Sequence, residues 1–198
     1  MVEITAAMVK DLRDRTGVGM MECRKALQEN NGNIDESIKW LRERGISKAA
    51  AKAVRETKEG IIYSYIHSNS KIGVLIEVNC ETDFVARTEG FVQLCKDLAM
   101  QIAASNPLAI SAEQIDPSLL DNEREIARNK AINDGKKPEI VEKIVEGHIQ
   151  KYCKENSLLD QEFIKDPTRS IRSLLTDAIA STGENIQIAR FVRFQIGE

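Results

Sequence analysis

The chain has 198 residues, 42% apolar and 30% charged, a balance that suits a folded globular chain and excludes a disordered one. Its 28 basic and 31 acidic residues leave a net charge of −3, which argues against a chain whose main task is gripping phosphate backbones. Aromatic residues make up only 5%, so Ile, Leu, Val and Ala must supply most of the core. No stretch nears the roughly 20 apolar residues of a membrane-spanning helix. The opening MVEITAAMVKDLRDRTG is not a secretory signal or a transit peptide. The expected setting is cytoplasmic, away from membranes. Cys23, Cys80, Cys95 and Cys153 lack C-x-x-C spacing and fall in apolar patterns, which reads as buried free thiols in a reducing compartment.

Taken in order, the first 45 residues read as three short helices. Thr5 can cap the first, with Ile4 and Val9 placed for a hydrophobic staple and Met8, Val9 and Leu12 on the apolar side. Thr16 to Gly19 breaks it. MMECRKALQENN is the second helix, and Gly32 is placed to help end it. Two adjacent methionines cannot share a helix face, so one of Met20 and Met21 is expected inside and the other outside. Asn33 and Glu36 resemble a capping box for the third helix, whose stripe is Ile34, Ile38 and Leu41 and whose stop is Gly45. The Ala- and Lys-rich stretch from Ser47 reads as a linker, partly helical.

From Gly60 the texture changes. GIIYSYIH and KIGVLIEVNC are β-rich runs joined by the turn residues Ser68-Asn69-Ser70. In the second run Ile72, Val74, Ile76, Val78 and Cys80 alternate onto one face, with Leu75 opposite. From Thr88 to about Ala104 the period becomes helical, with Phe91, Cys95, Leu98 and Ile102 on one stripe flanked by Val92 and Ala99. Asn106-Pro107 ends it, and LAIS is a candidate short strand. Two charged helical segments then flank Asp134 to Lys137, with Pro138 at a first helical position. The second carries Ile140, Val141, Ile144, Val145, His148, Ile149 and Tyr152 on one seam. Together they predict an antiparallel helical hairpin over about 118–154, each arm about 22 Å long. After DPTRS, Ile171 to Ser181 is a further helix closed by Gly183. The closing NIQIARFVRFQIG alternates, placing Ile186, Ile188, Val192, Phe194 and Ile196 on one face of a strand that completes the sheet. The order predicts an α+β fold with an antiparallel sheet: a three-helix module over 1–46, a linker over 47–59, and a core domain over 60–198 that contains the hairpin.

Catalytic parts are scarce. There is no H-E-x-x-H, no G-x-S-x-G and no Walker-A loop, and neither a cofactor nor a metal site is expected. His67 ends a strand and His148 lies on a helical seam, both structural settings. Gly17-x-Gly19 has Glu22 where a dinucleotide fingerprint needs glycine, and it follows a helix rather than a strand. The stretch NCETDFVAR stands at the junction of strand and helix. Phe84 precedes Phe91 by seven residues, so it belongs to the core if the helix starts early. Otherwise it is presented outward. Asp83 is placed to cap the following helix. Two rival functions stand beside these readings: a binding adaptor built on the bundle, and a thiol-based site at Cys80 with Glu81 and Asp83. Nucleic-acid binding by the hairpin is disfavoured because acids intersperse its bases.

Two segments carry a resemblance. LRDRTGVGMMECRKAL is similar to the N-terminal signature of the elongation factor Ts family, and EVNCETDFVAR to its Thr-Asp-Phe-Val signature. KIVEGHIQKYCKE, KDPTRSI and ARFVRFQIGE extend the likeness over nearly the whole chain. Arg24 departs from the pattern, since members commonly carry lysine there. The resemblance implies a guanine-nucleotide exchange factor for elongation factor Tu, not an enzyme, with a ubiquitin-associated-like N-terminal module. It implies that Met20, Met21 and Arg24 touch the partner's GTPase domain. It implies that Asp83 and Phe84, between Thr82 and Val85, insert there and dislodge Mg²⁺ and GDP. Longer members carry two half-cores, and this chain has room for one, so a homodimer is expected to supply the second. No direct nucleic-acid contact is implied.

Overall fold

The computed structural model of the chain describes residues 4–197, and of residues 46–48 only the backbone. Its elements in chain order are α1 (Ala6–Thr16), α2 (Met20–Glu29), α3 (Ile34–Lys52), β1 (Glu59–Ile66), β2 (Ile72–Cys80), α4 (Asp83–Ala86), α5 (Glu89–Ser105), α6 (Pro117–Asn133), α7 (Pro138–Asn156), β3 (Glu162–Phe163), β4 (Asp166–Ser170), α8 (Ile171–Thr182) and β5 (Ile186–Gln195). The fold is α+β, with antiparallel sheets ordered β1-β2-β5 and β3-β4. It packs as two compact units. The first takes the chain through Ile62, Glu77–Cys95 and Ser173–Ala189; the second takes Tyr63–Ile76, Lys96–Arg172 and the chain from Arg190.

In the first unit the three-helix bundle forms as its caps direct. Thr5 Oγ1 accepts the Met8 N–H (3.3 Å) and Asn33 Oδ1 accepts the Glu36 N–H (3.1 Å), each satisfying an orphan donor of a first turn. Gly32 donates to the Leu27 carbonyl (2.7 Å) beyond the end of α2. Val9, Leu12, Cys23, Ala26, Leu27 and Leu41 form the bundle's core. Gly45 does not stop α3, which runs on to Lys52. Glycine costs a helix interior about 1 kcal/mol relative to alanine. Here it sits buried where α3 meets α8: a Cβ at Gly45 would lie 3.5 Å from that of Ala180. The Ala-rich residues that follow continue the helix, and Lys52 Nζ reaches the Ile179 carbonyl (3.4 Å).

The sheet strands follow their alternation. Val74, Ile76, Val78 and Cys80 of β2 are buried while Leu75 is exposed. Phe91, Leu94, Cys95, Leu98 and Ile102 give α5 its buried stripe, with Val92 outside it. In β5, Ile186 and Ile188 are buried, but Val192 and Phe194, which the alternation puts on the same face, are exposed, as is Ile196 just past its end.

In the second unit, α6 and α7 form the expected hairpin around Ala127, Ala131, Val141 and Val145. Arg128 holds Glu142 with two hydrogen bonds (3.0 and 3.1 Å), and His148 Nε2 meets Glu123 Oε2 at 2.9 Å. The wide seam expected of α7 divides: Val141, Val145 and Ile149 are buried, while Ile140 and Ile144 are exposed. Two helices bury only the narrow stripe between them. The expected LAIS strand reduces to an isolated bridge between Ala109 and Ser157. The β3-β4 hairpin, unannounced by any β-rich run, is supported by buried Gln101. Its Oε1 accepts the Ile164 N–H (2.9 Å), and its Nε2 lies within bonding distance of Gln161 Oε1 and the Glu162 carbonyl (both 3.1 Å).

Gly60 marks a close approach between strands. Its φ of +146° is one that side chains resist, and a Cβ there would stand 2.2 Å from the Val78 carbonyl oxygen. Gly60→Ala is expected to cost about 2–4 kcal/mol in a denaturant melt. A loss below about 0.5 kcal/mol, the range of an innocuous surface change, would show that the strands do not close so tightly.

Candidate functional site

The alternation of β2 ends at Cys80, and the chain turns at once into a single helical turn. Thr82 is extended (φ −130°, ψ 153°) and its Oγ1 accepts the Val85 N–H (3.4 Å), so Thr82 caps α4. Asp83 does not cap a helix as expected; its carboxylate instead pairs with Arg87 at 2.9 Å. That pair is largely exposed and contributes at most about 1 kcal/mol. Ala86 is buried, Val85 half-buried, and Phe84 stands 81% exposed. One helical turn dictates this arrangement, since a residue two places from the inward Ala86 points roughly 200° away.

The helix does not start early enough to carry Phe84 into the core. Thr88 interrupts it, donating to the Val85 carbonyl (2.8 Å) and accepting the Phe91 N–H (3.3 Å), so α5 begins with a new cap. Phe91 is 1% exposed, and the seven-residue spacing that would align Phe84 with it does not survive the break. The core reading of Phe84 is therefore excluded.

What holds this turn comes from far along the chain. Gly183, at φ +78°, ends α8 and turns the chain so that Glu184 faces the tip. One carboxylate oxygen of Glu184 accepts the N–H groups of Glu81 (3.1 Å) and Thr82 (3.0 Å), and the other accepts the Thr82 hydroxyl (2.6 Å). In return, Glu81 Oε1 accepts the Asn185 N–H (2.6 Å). That backbone bond, with the nearby Arg55 guanidinium, holds the Glu81 carboxyl below its ordinary range. A depressed carboxylate stabilises above its unfolded value of about 4.3, and that contribution is lost as pH falls through the folded value. Cys80 donates its thiol to the Thr82 carbonyl (3.1 Å), and burial, then the Glu184 charge, push it up. Buried and engaged with a backbone carbonyl, Cys80 sits as a core thiol rather than an exposed, activated one. Sequence reading missed Glu184 and Asn185: a helix stop at Gly183 was legible, but nothing pairs residue 184 with residue 82, 102 positions away.

The N-terminal candidates lie on the outer face of α2. Its buried residues are Cys23, Ala26 and Leu27; Met20 is 43% exposed, Met21 78%, and Arg24 is exposed. Neither methionine enters the core, contrary to the expectation that one would, because α2 opens only at Met20 and its inward stripe begins at Cys23. Met20, Met21 and Arg24 thus form one patch, and Thr82 to Val85 form one tip; both belong to the first unit.

The family model described as Elongation factor TS matches residues 2–198. The chain belongs to the elongation factor Ts family. It is 57% identical to elongation factor Ts of Nitratidesulfovibrio vulgaris over 194 residues, covering 98% of this chain and 97% of that one. It is 57% identical to that of Oleidesulfovibrio alaskensis over 197 residues, covering 100% of both. It is 53% identical to that of Heliobacterium modesticaldum over 195 residues, covering 98% of this chain and 91% of the relative.

In this member of the elongation factor Ts family, the Thr-Asp-Phe-Val signature is a one-turn helix bearing an exposed ring. Among the described residues no group of three or more His, Cys, Asp or Glu could hold a metal ion. None of the described helices is long and apolar enough to cross a membrane. His67 meets the Tyr65 hydroxyl (3.1 Å) and His148 meets Glu123, so both histidines have structural partners. The arrangement presents an exposed ring on a turn whose backbone is tied to Glu184 and Asn185. Thermal and chemical melts test it: Phe91→Ala is expected to cost about 3–5 kcal/mol, and Phe84→Ala less than about 0.5 kcal/mol. Comparable losses for the two would place Phe84 in the interior.

Proposed function

We propose that this chain speeds guanine-nucleotide release from elongation factor Tu by inserting Phe84, with Asp83 beside it, into the GTPase domain of that partner. Membership of the elongation factor Ts family implies nucleotide exchange on elongation factor Tu in translation. The observation that carries the finer reading is the large exposed ring of Phe84 on a turn whose backbone is bonded before it through Glu81 and Thr82 and after it through Thr88. A ring left in water in the free chain gains apolar burial only against a partner.

The physics needs no chemical step. A GTPase holds its nucleotide through backbone amides, a P-loop lysine and a coordinated Mg²⁺. An inserted side chain that displaces those elements weakens phosphate and metal together. The exchanger and the nucleotide then lower each other's affinity by the same factor. The direction of exchange follows nucleotide concentrations, since the chain supplies no energy of its own. Met20 and Met21 are flexible apolar contacts suited to a second docking point, and Arg24 adds a charge that lysine would present differently. Phe84→Ala is expected to slow chain-stimulated release of fluorescent GDP from elongation factor Tu roughly 10- to 100-fold, the effect of losing an interface hot spot. Wild-type rates with that variant would remove Phe84 from the mechanism.

A second copy of the chain completes this proposal. Ile66, Phe194 and Ile196 are exposed and line an open apolar groove with Ile72 and Gly73 in the second unit. An apolar sheet end of this kind suits an isologous contact, in which the same patch serves both partners. Light scattering at micromolar concentration is expected to give twice the 22.2 kDa of one chain, and Phe194→Asp to return it to one. A single-chain mass for the unmodified protein would refute the dimer and leave the exchange mechanism standing.

A further inference from the structure

We propose that Glu184 is the positioning residue of the Phe84 tip, acting through three hydrogen bonds to Glu81 and Thr82; this rests on the reading of Phe84 as the inserted group.

The tip cannot hold itself. A four-residue helix is far below the length at which helices persist unaided. Phe84 is outside the core and adds no packing. The cap from Thr82 is a single long bond of 3.4 Å. Glu81 and Thr82 lie between the end of β2 and the start of α4, where neither ladder nor helix takes up their N–H groups. Two successive N–H groups converging on one oxygen make a small anion-binding concavity. The chain fills it with its own Glu184 carboxylate, and the second oxygen of that carboxylate takes the Thr82 hydroxyl.

The reverse arm makes the attachment stiff. Glu81 accepts from Asn185, so the 81–82 and 184–185 segments exchange backbone-to-carboxylate bonds in both directions. Asn185 is buried, and its side chain donates to the Arg55 carbonyl (2.8 Å), while Gln187 donates to that of Ala53 (3.2 Å). The turn after α8 therefore ties the tip to the chain leaving α3. Such an attachment matters for insertion because a misplacement of about 1 Å can cost on the order of 100-fold in a geometry-dependent step.

Glu184→Ala, Glu184→Gln and Glu184→Asp in the full chain test the assignment. Glutamine can accept both amides on its oxygen and donate to Thr82 Oγ1. Aspartate keeps the charge but withdraws it by one methylene. Two readouts are used: the rate of fluorescent GDP release from elongation factor Tu at saturating chain, and hydrogen exchange of the Glu81 and Thr82 amides in the free chain. The alanine and aspartate variants are expected to lose roughly 10- to 100-fold in rate, and glutamine to stay within about threefold of wild type. In a Phe84→Ala background, Glu184→Ala is expected to cost nothing further, since it acts through Phe84. The two amides are expected to exchange at least about tenfold faster in the alanine variant than in wild type.

Losses that multiply in the double variant, or a glutamine variant as slow as alanine, would overturn the assignment, as would unchanged amide exchange. If alanine prevents folding, the contrast between glutamine and aspartate decides. If the unmodified chain fails to speed GDP release, the exchange mechanism falls. The amide readout then judges the positioning by itself: faster exchange sustains it and unchanged exchange ends it.

Discussion

A single helical turn carrying an exposed phenylalanine has almost nothing of its own to keep it in place. The carboxylate of Glu184, gripping two backbone N–H groups and a hydroxyl at Glu81 and Thr82, is the interaction that ties the chain leading into that turn. Charge-assisted bonds to backbone amides are among the stronger local restraints a protein can make. Here they fix the chain immediately before Phe84, while buried Ala86 and the new cap at Thr88 fix it immediately after. The ring is free because its neighbours are not.

This arrangement separates stability from recognition. The bundle core, the buried face of β2 and the stripe of α5 supply the folding energy with residues buried within the chain itself. Phe84 and Met21 are apolar groups left in water at no benefit to the fold. An apolar group left in water gains burial only against another surface, and the contacts proposed above for Phe84 and Met21 rest on that. The proposed contact between two copies rests on the same property of Phe194 and Ile196, which are exposed while Ile186 and Ile188 at the start of β5 are buried.

Much of the architecture was legible locally. Caps at Thr5 and Asn33, the period-2 run in β2, the period-3.6 run in α5 and the break at Asp134 to Lys137 each act within a few residues, so the linear pattern reports them. Where the reading failed, a distant part of the chain had intervened. Gly45 reads as a stop until α8 comes up against it and the helix continues. The β3-β4 hairpin has no strand-like run, and part of its backbone bonding goes to Gln101 of α5, which no local pattern reports. Asp83 looks like a cap, yet Thr82, extended and bonded to Glu184, takes that role.

The sequence by itself determined most of the helices, the long strands, the α+β class and, through two long signatures, the family; these rest on short-range sterics and on motif residues standing next to one another. Only the tertiary structure decided that Phe84 faces outward, that neither methionine of α2 is core, and that Glu184 and Asn185 bond to the chain just before Phe84. Periodicity states which residues share a face of an element. It cannot state where an element is cut, or which carboxylate a hundred positions away will meet two free amides, because those outcomes follow from how separate elements pack.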